Sequence, residues 1–116
     1  MNTRAVGTEY EEKACNYLVR CGFRILERNY RCRIGEIDII ARDGEYLVFV
    51  EVKYRLSKAQ GGAAYTIPVS KQRTIARVAQ WYMKTKGISL QTYCRFDAVL
   101  FDGDDIEHIK DAWRLR

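Results

Sequence analysis

Asp38, Glu51 and Lys53 bring two carboxylates and an amine together at a chemically suggestive spacing in the stretch from Ile34 to Arg55. The stretch reads as two strands joined at Asp43-Gly44, because a type I′ hairpin turn needs positive φ at both central residues and favours Asp-Gly there. Side chains alternate between faces along a strand. Alternation groups Glu36, Asp38 and Ile40 on the first strand with Leu47, Phe49, Glu51 and Lys53 on the second, and leaves Tyr46, Val48, Val50 and Val52 opposite. With that turn Arg42 pairs with Glu45, Asp38 with Phe49 and Glu36 with Glu51. Asp38 then lies diagonal to Glu51, about 7–8 Å away between backbones. Two such carboxylates repel unless a cation lies between them. Mg²⁺ suits the position, since it takes one or two carboxylates and keeps several waters. A one-residue slip would turn Asp38 to the other face.

Pattern alone leaves two readings of that face. Charged residues on one side of an antiparallel hairpin commonly mark a solvated surface. Leu47 and Phe49 share the side with the acids, however, and a partly covered face would oblige its acids to find partners.

The elements around the hairpin follow from periodicity and punctuation. A helix is expected over residues 8–21, capped by Thr8, with Glu9, Glu11 and Glu12 in a first turn where carboxylates suit the macrodipole. Ala14, Tyr17, Leu18 and Cys21 form its apolar stripe, and Gly22 stops it. Glu11 lies on the edge of that stripe, from which it can reach a site on the sheet, whereas Glu9 and Glu12 read as solvent residues. Phe23–Arg31 is a first strand. After the hairpin, Leu56–Thr66 is longer than a plain connection, so it is either a flap ordered by a ligand or simply a mobile loop. Ser70 can cap a second helix, Lys71–Lys86, that buries Ile75, Val78, Ala79 and Tyr82. Gln72 falls towards that face, and Lys71, Arg73, Arg77, Lys84 and Lys86 remain for solvent or for phosphates. Gln91–Phe101 is a strand, Gly103 lies in a turn, and Ile106–Ile109 is a short closing strand on which His108 reads as a surface residue. No element is assigned to the tail around Trp113.

The 116 residues are enough for one domain, spanning 1–116, with a single core. No apolar run approaches the roughly 20 residues that cross a bilayer, and the N-terminus lacks the apolar region of a signal peptide, so a cytoplasmic protein without a membrane partner is expected. The cysteines have neither CxxC nor zinc-ligand spacing, so they read as small apolar residues rather than a zinc site. Charge is distributed unevenly. Val52–Phe96 contains nine cations and no Asp or Glu, while the rest of the chain carries 11 basic against 15 acidic residues. That predicts a positive surface beside a cluster of acids, and a positive surface attracts phosphate backbones through counterion release. Like charges along one helix are costly without an anionic partner.

On specific residues the chain resembles a known family. Asp38 followed by Glu51-Val52-Lys53, with an acid on the preceding helix, is similar to the motif of the PD-(D/E)XK nuclease superfamily, which includes archaeal Holliday junction resolvases. A closer resemblance is to the YraN-like family of predicted endonucleases. It is carried by Gly7, Glu11, Ala14, Tyr17-Leu18, Gly22, Asn29, Gly35-Glu36-Ile37-Asp38, Phe49-Val50-Glu51-Val52-Lys53, Arg55, Lys71-Gln72-Arg73, Ala79, Tyr82 and Arg95-Phe96-Asp97. Tyr10 stands where that family often has glycine.

The resemblance implies a restriction-endonuclease-like α/β fold, an α-β-β-β-α-β core whose mixed central sheet is flanked by helices. It also implies that Asp38 and Glu51 hold Mg²⁺ or Mn²⁺, with the Val52 carbonyl and with Glu11 acting through water. Lys53 would orient the attacking water or stabilise phosphate charge. Two carboxylates and a phosphate beside it favour its charged form, so this role is preferred to that of a base. Lys71 and Gln72 would approach the substrate phosphate, Glu36 would bind a second metal or position a cation, and Arg55, Lys58, Arg73 and Arg77 would line the path of the DNA. By analogy with the resolvases a homodimer is expected. Two function classes remain at this level: a metal-dependent endonuclease acting on branched or otherwise irregular DNA, and a nucleic-acid-binding module on a nuclease fold.

Overall fold

A computed structural model of the chain describes residues 3–55 and 67–114, with side chains from residue 6 onward. Helix α1 (Thr3–Arg20) is followed by β1 (Arg24–Arg31), β2 (Glu36–Asp43), β3 (Tyr46–Arg55), α2 (Val69–Thr85), β4 (Cys94–Asp102) and β5 (Asp105–Ile109). The strands lie side by side in sequence order. Only β3 and β4 run parallel, and the other three pairings are antiparallel. A parallel pair needs a crossover, and α2 lies within it. This is the expected restriction-endonuclease-like α/β architecture, with β5 added at the edge.

Strand β3 is apolar on both faces because a helix covers each. Val48, Val50 and Val52 pack with Ile39, Ala41, Val99 and Phe101 beneath Tyr10, Ala14, Cys15 and Leu18 of α1. Leu47 and Phe49 pack with Ile37 and Ile40 beneath Ile75, Val78, Ala79 and Tyr82 of α2. The face that carries the acids is therefore covered, and the solvated reading falls. Tyr10 belongs to this core, stacked on Tyr54 at 4.6 Å between ring centroids.

Several local expectations change. The hairpin closes on Gly44-Glu45, with Asp43 opposite Tyr46 and Ile40 opposite Phe49. Gly44 alone of the two turn residues has positive φ, the pattern of a type II′ turn, and Asp43 stays in the ladder, its carboxylate held 2.9 Å from Arg95 Nη2. The pairing shifts by two residues, which leaves the β3 side chains on their expected faces, whereas on β2 Ile37 joins Ile40 beneath α2. Thr8 lies inside α1 rather than at its cap. Cys21 lies past the helix end and is exposed, and its place in the stripe goes to Tyr10 and Cys15. Pro68, not Ser70, precedes α2, and no side chain caps that helix. The loop Leu56–Thr66, with Lys58, lies outside the described residues.

Gly35 has a steric role. A Cβ there would lie 2.9 Å from Thr74 Cγ2, so a larger residue would have to displace the Thr74 side chain where the entry to β2 meets α2.

The far end of the sheet is fastened by Asp97, which is 0% exposed. Its carboxylate accepts hydrogen bonds from Arg95 Nε (2.8 Å), Arg95 Nη2 (3.0 Å) and the Asp111 backbone N–H (3.0 Å), and lies 2.8 Å from His108 Nε2. His108, expected at the surface, is buried here because β5 turns its ring inward between Tyr17 and Phe23. Trp113 closes the tail by stacking on Phe96. Burial by itself would raise the Asp97 carboxyl, but His108, Arg95 and the Asp111 N–H outweigh it and hold it below the usual carboxylate range. Asp97→Ala leaves several donors buried without an acceptor, so urea denaturation should show a loss of about 3–5 kcal/mol at neutral pH. Because folding depresses this carboxyl, its contribution is present above the unfolded pKa of about 4 and is lost on acidification through the lower folded value. The gap between variant and wild type should narrow there. An equal gap at all pH values would contradict this assignment.

Candidate active site

Strands β2 and β3 pair from Asp43 and Tyr46 as far as Ile39 and Val50, and there the ladder ends. Continued by one residue, the register sets Asp38 opposite Glu51. The Asp38 side chain takes over from the main chain at this point, its Oδ2 accepting a hydrogen bond from the Val52 N–H at 2.8 Å. The backbone is irregular at the same level. Ile37 and Ile40 both pack beneath α2, although strict alternation would put residues three apart on opposite faces. On β1, Asn29 adopts φ 52°, between the two residues that pair with Ile37 and Ile39. Irregularities of this kind re-aim side chains at the edge of a ladder, and here the side chain is Asp38.

Glu51 is 4% exposed and pairs with Lys71, whose Nζ lies 2.8 Å from Oε1. Lys71 comes from the first turn of α2, and Lys53, half-buried on β3, is its neighbour. On α1, Glu9 is exposed and pairs with Lys13, and Glu12 is also exposed. Glu11 is half-buried and turned so that its charge bears on Asp38. Asp38, Glu51 and Lys71 thus come together from three elements, with Lys53 beside Lys71 and the charge of Glu11 acting on Asp38 from α1.

Electrostatics here favour a cation. Burial first, then the charge of Glu51, push the Asp38 carboxyl up to about 7; Glu11 adds to this, and the Val52 N–H and Lys71 oppose it. Burial would lower Lys71, but the hydrogen bond and charge of Glu51, with Asp38, hold its ammonium above the usual lysine value. Lys71 offsets one of the two adjacent negative charges and leaves the other poorly compensated.

The structure gathers Asp38, Glu51 and Lys71, with Glu11 and Lys53 beside them. N–H and C=O of one strand residue point to the same side, so the Val52 carbonyl opens towards β2 just where pairing has ended. Gln72 donates from Nε2 to the Ile67 carbonyl at 2.9 Å and so anchors the chain entering α2. Glu36 is exposed and pairs with Arg31 Nε at 3.0 Å. Arg55 is 18% exposed and lies 2.6 Å from Asp102. Arg73 and Arg77 are exposed on α2.

The Glu51–Lys71 pair is not part of the sequence reading. Its signal is that Lys71 lies one turn before the buried Ile75, on the same side of the helix. Among the described residues no group of three or more His, Cys, Asp or Glu side chains is arranged to hold a metal ion unaided. Asp38 and Glu51 nevertheless match the donor set of Mg²⁺, whose remaining ligands are ordinarily water and substrate phosphate. No described helix is long and apolar enough to cross a membrane.

Comparison with known proteins returns one family. The model of "Uncharacterised protein family UPF0102" matches residues 10–101. The chain is 46% identical over 113 residues to a UPF0102 protein of Lachnoclostridium phytofermentans, covering 97% of this chain and 96% of that one. It is 48% identical over 111 residues to a UPF0102 protein of Dechloromonas aromatica, covering 96% and 90%. A UPF0102 protein of Syntrophus aciditrophicus is 48% identical over 110 residues, with coverage of 90% and 85%.

Because folding raises the Asp38 carboxyl, the folded protein keeps a proton between about pH 4 and about 7 that the unfolded chain has released. Stability without metal should fall as pH rises through that window. Asp38→Asn cannot ionise and still offers an oxygen to the Val52 N–H. Its melting temperature in chelator should exceed that of the wild type by roughly 5 °C near pH 8, and the difference should vanish towards pH 4. A variant less stable than wild type at both ends would show that Asp38 is not under charge stress.

Proposed function

The chain belongs to the uncharacterised protein family UPF0102, the YraN-like group, and on that premise we propose that it is a metal-dependent endonuclease that hydrolyses DNA phosphodiester bonds. The observation that carries this reading is the buried Asp38–Glu51 pair, with Lys71, among the described residues, in direct ion contact with Glu51. A purely structural role would not require two acids side by side under cover, since removing one would relieve the repulsion.

In this reading Asp38 and Glu51 would hold Mg²⁺ or Mn²⁺, with the Val52 carbonyl and Glu11 as further oxygen donors. Such an ion supplies a bound water of lowered pKa and positive charge for the phosphate. Lys71 pairs with Glu51 in the metal-free site, and with Glu51 given to a metal its amine would be free to meet a substrate phosphate. Lys53 stays on the Glu51 face, where its ammonium orients the attacking water and stabilises charge on the phosphoryl oxygens. Gln72 keeps the start of α2 in place, so that Lys71 arrives at the acids from the correct side. Branched or otherwise irregular DNA is the substrate class, and a cytoplasmic protein acting as a homodimer completes the proposal by analogy with the resolvases.

The test uses labelled duplex, single-strand, flap, splayed-arm and four-way-junction DNA with Mg²⁺ or Mn²⁺. Cleavage of at least one substrate is expected, abolished by chelator and reduced at least about a hundredfold in Glu51→Gln and in Lys53→Ala. In parallel, Mn²⁺ should raise the melting temperature of the wild type but not of Glu51→Gln. DNA binding without cleavage in either metal would replace the enzyme with a binding module.

A further inference from the structure

Helix α2 has two faces of opposite character. Ile75, Val78, Ala79 and Tyr82 press on the sheet, while Arg73, Arg77, Gln80, Trp81 and Lys84 point outward. At 3.6 residues per turn those five fall within an arc of roughly 100°, centred opposite the buried side. Trp81 is 45% exposed, and with Ile34, Arg77, Gln80 and Lys84 it lines a shallow depression of about 210 Å³. The helix contains no acid. Among the described residues Arg73, Arg77 and Lys84 form no ion pair, whereas Lys71 and Lys86 do.

Such a face carries two penalties. Arg73 and Arg77, four residues apart, repel one another, and an open indole leaves a large apolar surface in water. A ligand with anionic groups at regular spacing and flat apolar faces between them relieves both. An unpaired nucleic-acid strand is such a ligand: phosphates meet the cations, and a base stacks on the indole. A duplex hides its base faces, and a second copy of this helix would set cations against cations. Lys71 lies ten residues before Trp81, a rise of about 15 Å along the helix axis.

We propose that Trp81 is a stacking platform for an unpaired DNA base about 15 Å along α2 from the acid pair, with Arg77 and Lys84 on the flanking phosphates. This rests on the nuclease reading only for the polymer being DNA. It makes the substrate a DNA with a single-stranded segment beside the bond to be cut.

The experiment uses the full chain in chelator, where no cleavage depletes the probe, and measures anisotropy of a labelled oligothymidylate and of an abasic oligonucleotide of equal length. Wild type should prefer the base-bearing strand about tenfold. Trp81→Ala should lose that preference while binding the abasic strand as wild type does, and Trp81→Phe should keep most of it. Arg77→Ala and Lys84→Ala should weaken both ligands and each lower the slope of log affinity against log salt by about 0.7. Quenching of tryptophan emission by oligothymidylate should vanish in Trp81→Phe, since Trp113 is buried against Phe96. Equal wild-type binding of the two strands, or a preference that survives in Trp81→Ala, would overturn the proposal, as would self-association that Trp81→Ala abolishes in its place. A preference without cleavage in any metal would remove the nuclease reading alone, and cleavage without the preference would remove only this one.

Discussion

Repulsion between Asp38 and Glu51 is the constraint around which one end of this molecule is arranged. Two carboxylates sharing a covered site cannot both ionise cheaply, and burial with Glu51 pushes Asp38 up to about 7. Everything close by answers that demand in part. The ladder between β2 and β3 stops one residue short so that Asp38 can accept the Val52 N–H, and α2 begins where Lys71 can meet Glu51. Gly35 leaves room for the Thr74 side chain where the entry to β2 meets α2.

Asp97 shows what a satisfied acid looks like in the same fold. It is as deeply buried as any side chain in the protein, yet its carboxyl is held below the usual range because Arg95, His108 and the Asp111 N–H surround it. That cluster also ties β4 to β5, to the β2–β3 turn and to the tail. Among the described residues Asp38 has the Val52 N–H as a donor and Lys71 at a remove. A chain that can supply several partners to one buried acid supplies few to another. The unequal provision among the described residues sets the Asp97 fastening apart from the acid pair, whose charge is less fully met.

The acid-free middle of the chain divides along similar lines. Arg55 and Arg95 are drawn into pairs with Asp102, Asp43 and Asp97. Lys71 serves the acid pair, and Arg73, Arg77 and Lys84 stay on the open side of α2. Net charge alone therefore overstates the surface presented to phosphate. What remains is narrower and better placed, on the helix that also contributes to the site.

Much of the plan was legible before any coordinates. Element order follows from periodicity and turn signals, and the sharing of one β3 face by Leu47, Phe49, Glu51 and Lys53 follows from a period of two, which is local stereochemistry. A two-residue error in the hairpin register left that face intact because two is a whole period. Partner choice was not legible. That Lys71 meets Glu51, that Glu36 pairs with Arg31, that Arg55 closes on Asp102 and that His108 goes inward to Asp97 all depend on how distant elements pack. Sequence alone determined which β3 side chains share a face. Only the tertiary structure decided which charges meet, because a Coulomb contact is fixed by distance and burial, and neither is a local property of the chain.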